Sequence, residues 1–391
     1  MNSFTFWLPT KVVFGADTAG LAGGEVKAFG GSRALIIYGE GSVIKNGLLS
    51  IVEESLEKNG IEFFRAGGVQ PNPLVEFAQK IADEYSGKGI DFVLAVGGGS
   101  VIDTAKAVAH GLASPGALIW DFITLKEPLV KSLPIGVVLT VAAAGSETSM
   151  SSVLTSQAAG IKRGLSTQLN RPVFAIMDPV VTFTTPRRHT VCGIVDILMH
   201  TLDRYFSPDA GNALTDAFAE ALMRVVVDNG KTVLNEPLSY SARSELLWAG
   251  SLSHNGLTGL GRTLEFSVHQ LGHTLSAKYD LPHGESLSIS WPAWAKYVYR
   301  DDVERFALYA RNVWGIEEAD DAAAAVAGID ATIQYFRSIG APVTLTEAAG
   351  EGAVGDIDEL VDICTFRGTR TIGSFKTLDA DDIRLIYKAA L

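Results

Sequence analysis

The chain has 391 residues, 47% of them hydrophobic, and a formal net charge of −12. This is enough for a large buried core in two or three domains, and unexceptional glycine, aromatic and charge contents exclude the disordered and fibrous classes. The acidic balance repels phosphate backbones and anionic lipid, which excludes nucleic acid and membranes as partners but leaves room for a local nucleotide loop.

The first eleven residues, MNSFTFWLPTK, hold no basic run followed by an apolar block and so do not read as a secretory signal. FTFW (4–7) and KVVFG (11–15) read as strands, and ALIIY (34–38) as a buried strand closed by a glycine turn. An amphipathic helix follows over 48–58. FVLAV (92–96) is a further buried strand, ended by Gly97-Gly98-Gly99, and Ser100 is a suitable N-cap for the helix VIDTAKAVAHGL. PIGVVLTV and VFAIMD supply two more apolar strands. Strands alternating with helices predict a parallel sheet covered on both faces. Beyond Pro186, helical periodicity takes over at 191–206, 212–229, 242–257 and 264–279. The expected organisation is an α/β domain over 1–183 and an all-helical domain over 184–391. The longest apolar run, 135–145, is too short to span a bilayer. Cys192 and Cys364 form no CxxC pair, which fits a reducing cytoplasm. Cys192 lies in an apolar helical pattern and reads as a small core residue.

Asp196 and His200 are four residues apart on a helical stretch and therefore share a face. His269 and His273 repeat the spacing, and His283 follows in the loop LPHGE. Asp196, His200, His269 and His283 make a set of three imidazoles and one carboxylate suited to Zn²⁺ or Fe²⁺. Spacing leaves His273 open as a fifth ligand or as a proton relay one turn from a ligand. His110, His189 and His254 lack such partners and read as ordinary residues.

Gly97-Gly98-Gly99-Ser100 lies between a strand and a helix, where glycines admit a pyrophosphate and the helix N-terminus offers N–H groups. It is not the GxGxxG fingerprint. A second loop, Gly39-Glu40-Gly41-Ser42, ends another strand, and the two together favour a dinucleotide site over plain turns.

YGEGSVIKNG, PNP (71–73), AVGGGSVIDTAKA, LTVAAAGSE, DILMH and HQLGHTLSAKYDLPHG together resemble the iron-containing (group III) alcohol dehydrogenase family over essentially the whole chain. They are most similar to its NADPH-dependent butanol dehydrogenase and aldehyde reductase branch. The resemblance implies a dehydroquinate-synthase-like fold and a homodimer joined near the N-terminal strands. It implies that Asp196, His200, His269 and His283 are the ligands and His273 a nearby non-ligand. It places Gly98, Gly99, Ser100 and Asp103 around the pyrophosphate and nicotinamide, and matches Asn72, Thr140 and Lys162 to other cofactor contacts. Gly39, Gly41 and Ser42 match the loop that receives the adenosine ribose.

Three residues depart from the branch: Glu40 within the usual GGGS, Ala144 for a threonine, and Asp203 for a glutamate one turn beyond His200. Ser42 and Lys45 favour NADPH over NADH, while Glu40 narrows the margin. The implied reaction is reversible hydride transfer between a nicotinamide and a primary alcohol or aldehyde. A polyol dehydrogenase or dehydroquinate-synthase-type lyase uses three protein ligands, and His200 as a fourth speaks against both. The complete ligand set and the glycine loop oppose a catalytically silent nucleotide-binding protein.

Overall fold

The structure is a computed structural model that describes residues 1–350 and 357–391. The described residues divide into two compact units. One spans Trp7–Pro186 with Leu238–Ser251; the other comprises Met1–Phe6, Arg187–Pro237 and Leu252–Leu391.

The first unit is built on a parallel six-stranded sheet. Its strands are β1 (Lys11–Phe14), β2 (Arg33–Gly39), β3 (Glu62–Val69), β4 (Phe92–Gly97), β5 (Ile135–Leu139) and, after a hairpin, β8 (Phe174–Met177). The order across the sheet is β1-β8-β5-β4-β2-β3. Alternation along each strand splits its side chains between two cores. Leu35, Ile37, Val93, Ala95 and Val137 pack with Ala78, Ile81, Ile102 and Ala105 on one face. Ala34, Ile36, Leu94, Val96 and Ile176 pack with Val26, Val52 and Leu56 on the other. The helices concerned are α1 (Ala22–Ala28) and α3 (Leu48–Lys58) on the second face, and α4 (Val75–Tyr85) and α5 (Gly99–Ala113) on the first. The short helices α2 (Ser42–Lys45) and α6 (Ile119–Ile123) complete this part. Strands covered on both faces are apolar throughout, which is why β4 and β5 were legible as continuous runs.

Three elements differ from the sequence expectation. FTFW forms no strand, and Phe4, Phe6 and Trp7 are 51%, 42% and 61% exposed, because β1 has β8 as its neighbour and no described strand pairs with residues 4–7. Edge strand β3 differs from the expectation, since Glu62, Arg65 and two glycines interrupt its apolar pattern and positions 62, 65 and 68 face water without alternating. The antiparallel hairpin β6 (Ser151–Ser156) and β7 (Ile161–Ser166) was also not anticipated, because its serines and glycine mask the alternation.

The second unit is helical. It contains α7 (Arg187–Tyr205), α8 (Ala213–Asn235), α10 (Ser267–Tyr279), α11 (His283–Val298), α12 (Val303–Trp314), α13 (Asp321–Ile339), α14 (Leu345–Ala349), α15 (Ile357–Cys364) and α16 (Ala380–Ala389). Helix α9 (Tyr240–His254) is divided between the units, residues 240–251 grouping with the sheet and 252–254 with the helices, whereas the sequence reading places one cut at 183. Its Leu247 joins the sheet core and its Ser251 hydroxyl bonds the Glu147 carboxylate, contacts that a change of periodicity along the chain cannot reveal. No described helix is long and apolar enough to cross a membrane.

Helix α7 is buried on nearly every face beyond Val191, so its polar residues sit inside the core. Glycines bring the neighbouring helices close. A Cβ on Gly272 of α10 would stand 3.0 Å from Leu287 Cδ2, and one on Gly284 of α11 would stand 2.3 Å from the Cys192 carbonyl oxygen. At Gly284 the obstacle is backbone and cannot rotate away. Gly284→Ala is therefore expected to destabilise the protein by about 1–3 kcal/mol, and an unchanged urea midpoint would show that the two helices are not held this closely.

Candidate functional site

The close helix packing brings four predicted ligands together. Asp196 and His200 lie one turn apart on α7, His269 lies on α10, and His283 is the first residue of α11 rather than part of a loop. Among the described residues, Asp196, His200 and His269 are buried with donor atoms all within 4.8 Å of one another. His283 stands at the edge of this group, its Nε2 3.8 Å from Asp196 Oδ1 and its side chain 25% exposed.

Hydrogen bonding orients two of the imidazoles. His200 Nδ1 lies 3.0 Å from the Asp196 carbonyl oxygen and 3.0 Å from Asp196 Oδ1, and donation there leaves Nε2 with its lone pair. His269 Nδ1 lies 2.5 Å from Asp203 Oδ2, the carboxylate–histidine arrangement that orients a metal ligand. Asp203 is one methylene shorter than the glutamate of the resemblance, yet it reaches His269. His269 Nε2 and Asp196 Oδ1 are buried 3.9 Å apart, and neither makes a hydrogen bond among the described residues. Buried polar atoms are rarely left so. Two orphaned acceptors facing one point lack what a cation would supply, so the donor set fits a divalent metal. Burial lowers the pKa of His200 and keeps the ring neutral, the form that binds metal.

His273 lies one turn along α10, its ring 6.3 Å from that of His269 and 5.3 Å from that of His283. His254, which no spacing singled out, stacks on His200 with centroids 3.9 Å apart. It has no partner histidine on its own helix, so sequence carried no signal for it. Cys192 is half-buried, and burial pushes its thiol up to about 12, as suits an inert packing residue.

In the sheet unit the two glycine loops follow adjacent parallel strands, Gly39–Ser42 after β2 and Gly97–Ser100 after β4. The chain leaves β2 toward β3 on one side and returns through β4 to β5 on the other. This is a topological switch point, where α/β sheets bind ligands beyond their strand C-termini. The N-cap of α5 is Gly98, not Ser100, and no side chain caps the first turn. A Cβ on Gly98 would stand 2.5 Å from Val141, whereas Gly99 faces Ala144 at 3.6 Å. Thr140 donates its backbone N–H to the Gly97 carbonyl at 3.2 Å. Asp103 accepts from the Ser146 hydroxyl at 2.6 Å and the Val153 amide at 2.9 Å. Lys106, fully buried, donates to the Ser146 and Ser151 carbonyls at 2.8 and 2.6 Å and pins residues 146–151 to α5. Burial draws its ammonium down to about 8 against the pull of Asp103 and Glu147. Lys162 Nζ donates to Asn72 Oδ1 at 2.9 Å, and Asn72 adopts φ 52°. Glu40, Ser42 and Lys45 are exposed, and Gln70 approaches Glu40 at 3.4 Å.

Residues 9–179 match the family described as iron-containing alcohol dehydrogenase, and residues 190–391 match the C-terminal region of the Fe-containing alcohol dehydrogenase family. The chain is 38% identical to NADH-dependent butanol dehydrogenase A of Clostridium acetobutylicum, over 99% of each chain. It is 34% identical to the NADPH-dependent aldehyde reductase YqhD of Escherichia coli, over 100% of each. The crystal structure of an NADH-dependent butanol dehydrogenase A from Thermotoga maritima superimposes with a TM-score of 0.95 at 36% identity, covering 100% of this chain and 99% of that one.

The geometry separates two histidines one turn apart. His269→Ala is expected to empty the site while circular dichroism stays native, and wild-type metal content in that variant would remove His269 from the ligands. His273→Ala is expected to retain metal but to lower kcat by about 10²–10⁴, the usual contribution of a proton-transfer group; metal loss in this variant would make His273 a ligand.

Proposed function

The chain belongs to the iron-containing alcohol dehydrogenase family, and from that premise we propose that it interconverts primary alcohols and aldehydes with NAD(P)(H), using a divalent metal held by Asp196, His200, His269 and His283. The observation that carries this reading is the pair of buried, unbonded acceptors, Asp196 Oδ1 and His269 Nε2.

When bound, Fe²⁺ or Zn²⁺ supplies Lewis acidity toward a substrate oxygen, and the nicotinamide supplies or takes up the hydride. The protein holds and orients. Asp203 fixes the His269 ring, and the Asp196 carbonyl fixes His200. His273, half-buried beside His283, carries the proton between substrate oxygen and water. Gly98, Gly99 and Ser100 offer the cofactor pyrophosphate an uncapped helix start. Asp103, Thr140, Asn72 and Lys162 border that loop or the hairpin beside it, and Gly39, Gly41 and Ser42 receive the adenosine ribose.

NADPH is preferred over NADH by a narrow margin. Lys45 attracts a 2′-phosphate and Ser42 bonds it, while the exposed Glu40 repels it. Each charge contributes roughly 1–4 kcal/mol at contact before screening, so the two nearly cancel. Relatives named for each cofactor, at 38% and 34% identity, are in keeping with a selectivity that few residues set. A homodimer belongs to the same reading, since pairing of two N-terminal segments would cover Phe4, Phe6 and Trp7; a monomer by light scattering would exclude it. The two free thiols suit a reducing cytoplasm.

One experiment addresses activity and cofactor together. Protein loaded anaerobically with Fe²⁺ or Zn²⁺ should consume NAD(P)H on addition of butanal, and stripping the metal should abolish this. Undiminished turnover by the metal-free protein would end the reading. Glu40→Gly should raise kcat/KM several-fold with NADPH alone. Equal changes with both cofactors would absolve Glu40, and a wild-type preference for NADH would make its carboxylate dominant.

A further inference from the structure

His254 is the last residue of α9 and is followed by a turn at Gly256, whose φ is 106°. The turn is tied down locally. Thr258 Oγ1 donates to the Ser253 carbonyl at 3.1 Å, and the Leu257 amide donates to Asn255 Oδ1 at 3.0 Å. Ser253, Asn255 and Thr258 are all buried. The His254 backbone is therefore held on both sides.

Its ring lies face to face with that of His200, centroids 3.9 Å apart and planes inclined by 28°. His269 stands 4.4 Å from His200, tilted by 48°. The rest of the His200 environment constrains its edge and backbone. Nδ1 meets the Asp196 carbonyl, and the His200 carbonyl accepts from Arg204. An imidazole exchanges its two nitrogens by turning about the Cβ–Cγ bond, which sweeps the ring out of its plane. A second ring stacked at van der Waals distance occupies the swept volume. Asp196, whose carbonyl and Oδ1 both lie 3.0 Å from Nδ1, gives direction to one edge of the ring, but nothing at that edge occupies the volume the rotation sweeps.

We propose that His254 is a positioning residue for the metal site: its face locks the His200 ring so that Nδ1 stays on Asp196 and the two ring nitrogens do not exchange places beside the donor cluster. The inference rests on the reading of His200 as a ligand, and it adds a residue that neither spacing nor ligand chemistry assigns. Groups that orient a ligand from outside the coordination shell typically change metal affinity about 10–100-fold when removed, and a ligand free to turn releases its metal faster.

The test compares wild type with His254→Phe, which keeps an aromatic face, and His254→Ala, which does not. With Zn²⁺ as the probe and a chromogenic chelator as acceptor, His254→Ala should release metal about 10-fold faster, while His254→Phe stays within about twofold of wild type. The melting temperature of the metal-free protein should be the same in all three, which separates positioning from general support of the fold. Wild-type release by His254→Ala, or release by His254→Phe as fast as by His254→Ala, would overturn the proposal. A second readout needs no metal. Long-range proton–nitrogen spectra of histidine-labelled, metal-free protein should show His200 as a single tautomer protonated at Nδ1 in wild type and His254→Phe, and averaged in His254→Ala. An averaged His200 in wild type overturns the stacking lock whatever the metal does. Wild-type protein that binds no Zn²⁺ while its His200 tautomer remains single would instead refute the metal reading and leave the lock standing.

Discussion

A buried carboxylate oxygen ringed by histidine nitrogens is the constraint on which the helical unit turns. Asp196 is 4% exposed, and its Oδ1 lies 3.0 to 3.9 Å from nitrogens of His200, His283 and His269. An isolated buried charge is expensive and ordinarily either protonates or finds a counter-charge. The imidazoles around it, together with the carboxylate, form a donor set that a divalent cation satisfies. The surrounding structure keeps this arrangement from relaxing. Gly272 and Gly284 allow close helix approach, Asp203 holds Nδ1 of His269, the Asp196 carbonyl lies beside Nδ1 of His200, and His254 covers a ring face. The apolar helix interior thus serves chemistry by excluding water from groups that would otherwise hydrate.

The sheet unit meets a different requirement, that of leaving backbone N–H groups at a helix start uncapped. Parallel strands deliver successive loops to one edge, where the winding reverses between β2 and β4. Glycine at 97–99 keeps that edge free of side chains, and Val141 leaves no room for one at 98. Lys106 substitutes for solvent inside the neighbouring loop, its ammonium bonded to carbonyls of Ser146 and Ser151. A buried lysine is tolerated because Asp103 and Glu147 lie near and its donors are occupied.

The legible parts of the sequence were those governed by local periodicity. Buried strands β2, β4, β5 and β8 announced themselves as apolar runs, and the helix at 48–58 by its amphipathic stripe. The less legible parts were those whose stability comes from a neighbour. Edge strand β3 and the serine-rich hairpin are strands because of what they pair with, and FTFW is not one because no described strand pairs with it. Ser100 looked like a cap, but Gly98 takes that place, because the chain turns into the helix two residues earlier than side-chain preference suggests. The cut expected at 183 followed the change of pattern, whereas α9 is divided by contacts of Leu247 and Ser251 that no pattern records.

The amino-acid sequence by itself determined the fold class and, through i,i+4 spacing, the candidate donors, and its motifs taken together carried the resemblance to the family, because each of these signals is written within a few residues. Tertiary structure alone decided which nitrogens are available. It placed Asp203 on His269, made the Asp196 carbonyl the partner of His200 Nδ1, moved His283 from a loop to the head of a helix, and set His254 against His200. The Asp203–His269 and His200–His254 relations join residues tens of positions apart and exist only once the chain is packed, whereas the Asp196–His200 contact spans a single helical turn whose side-chain orientation packing selects.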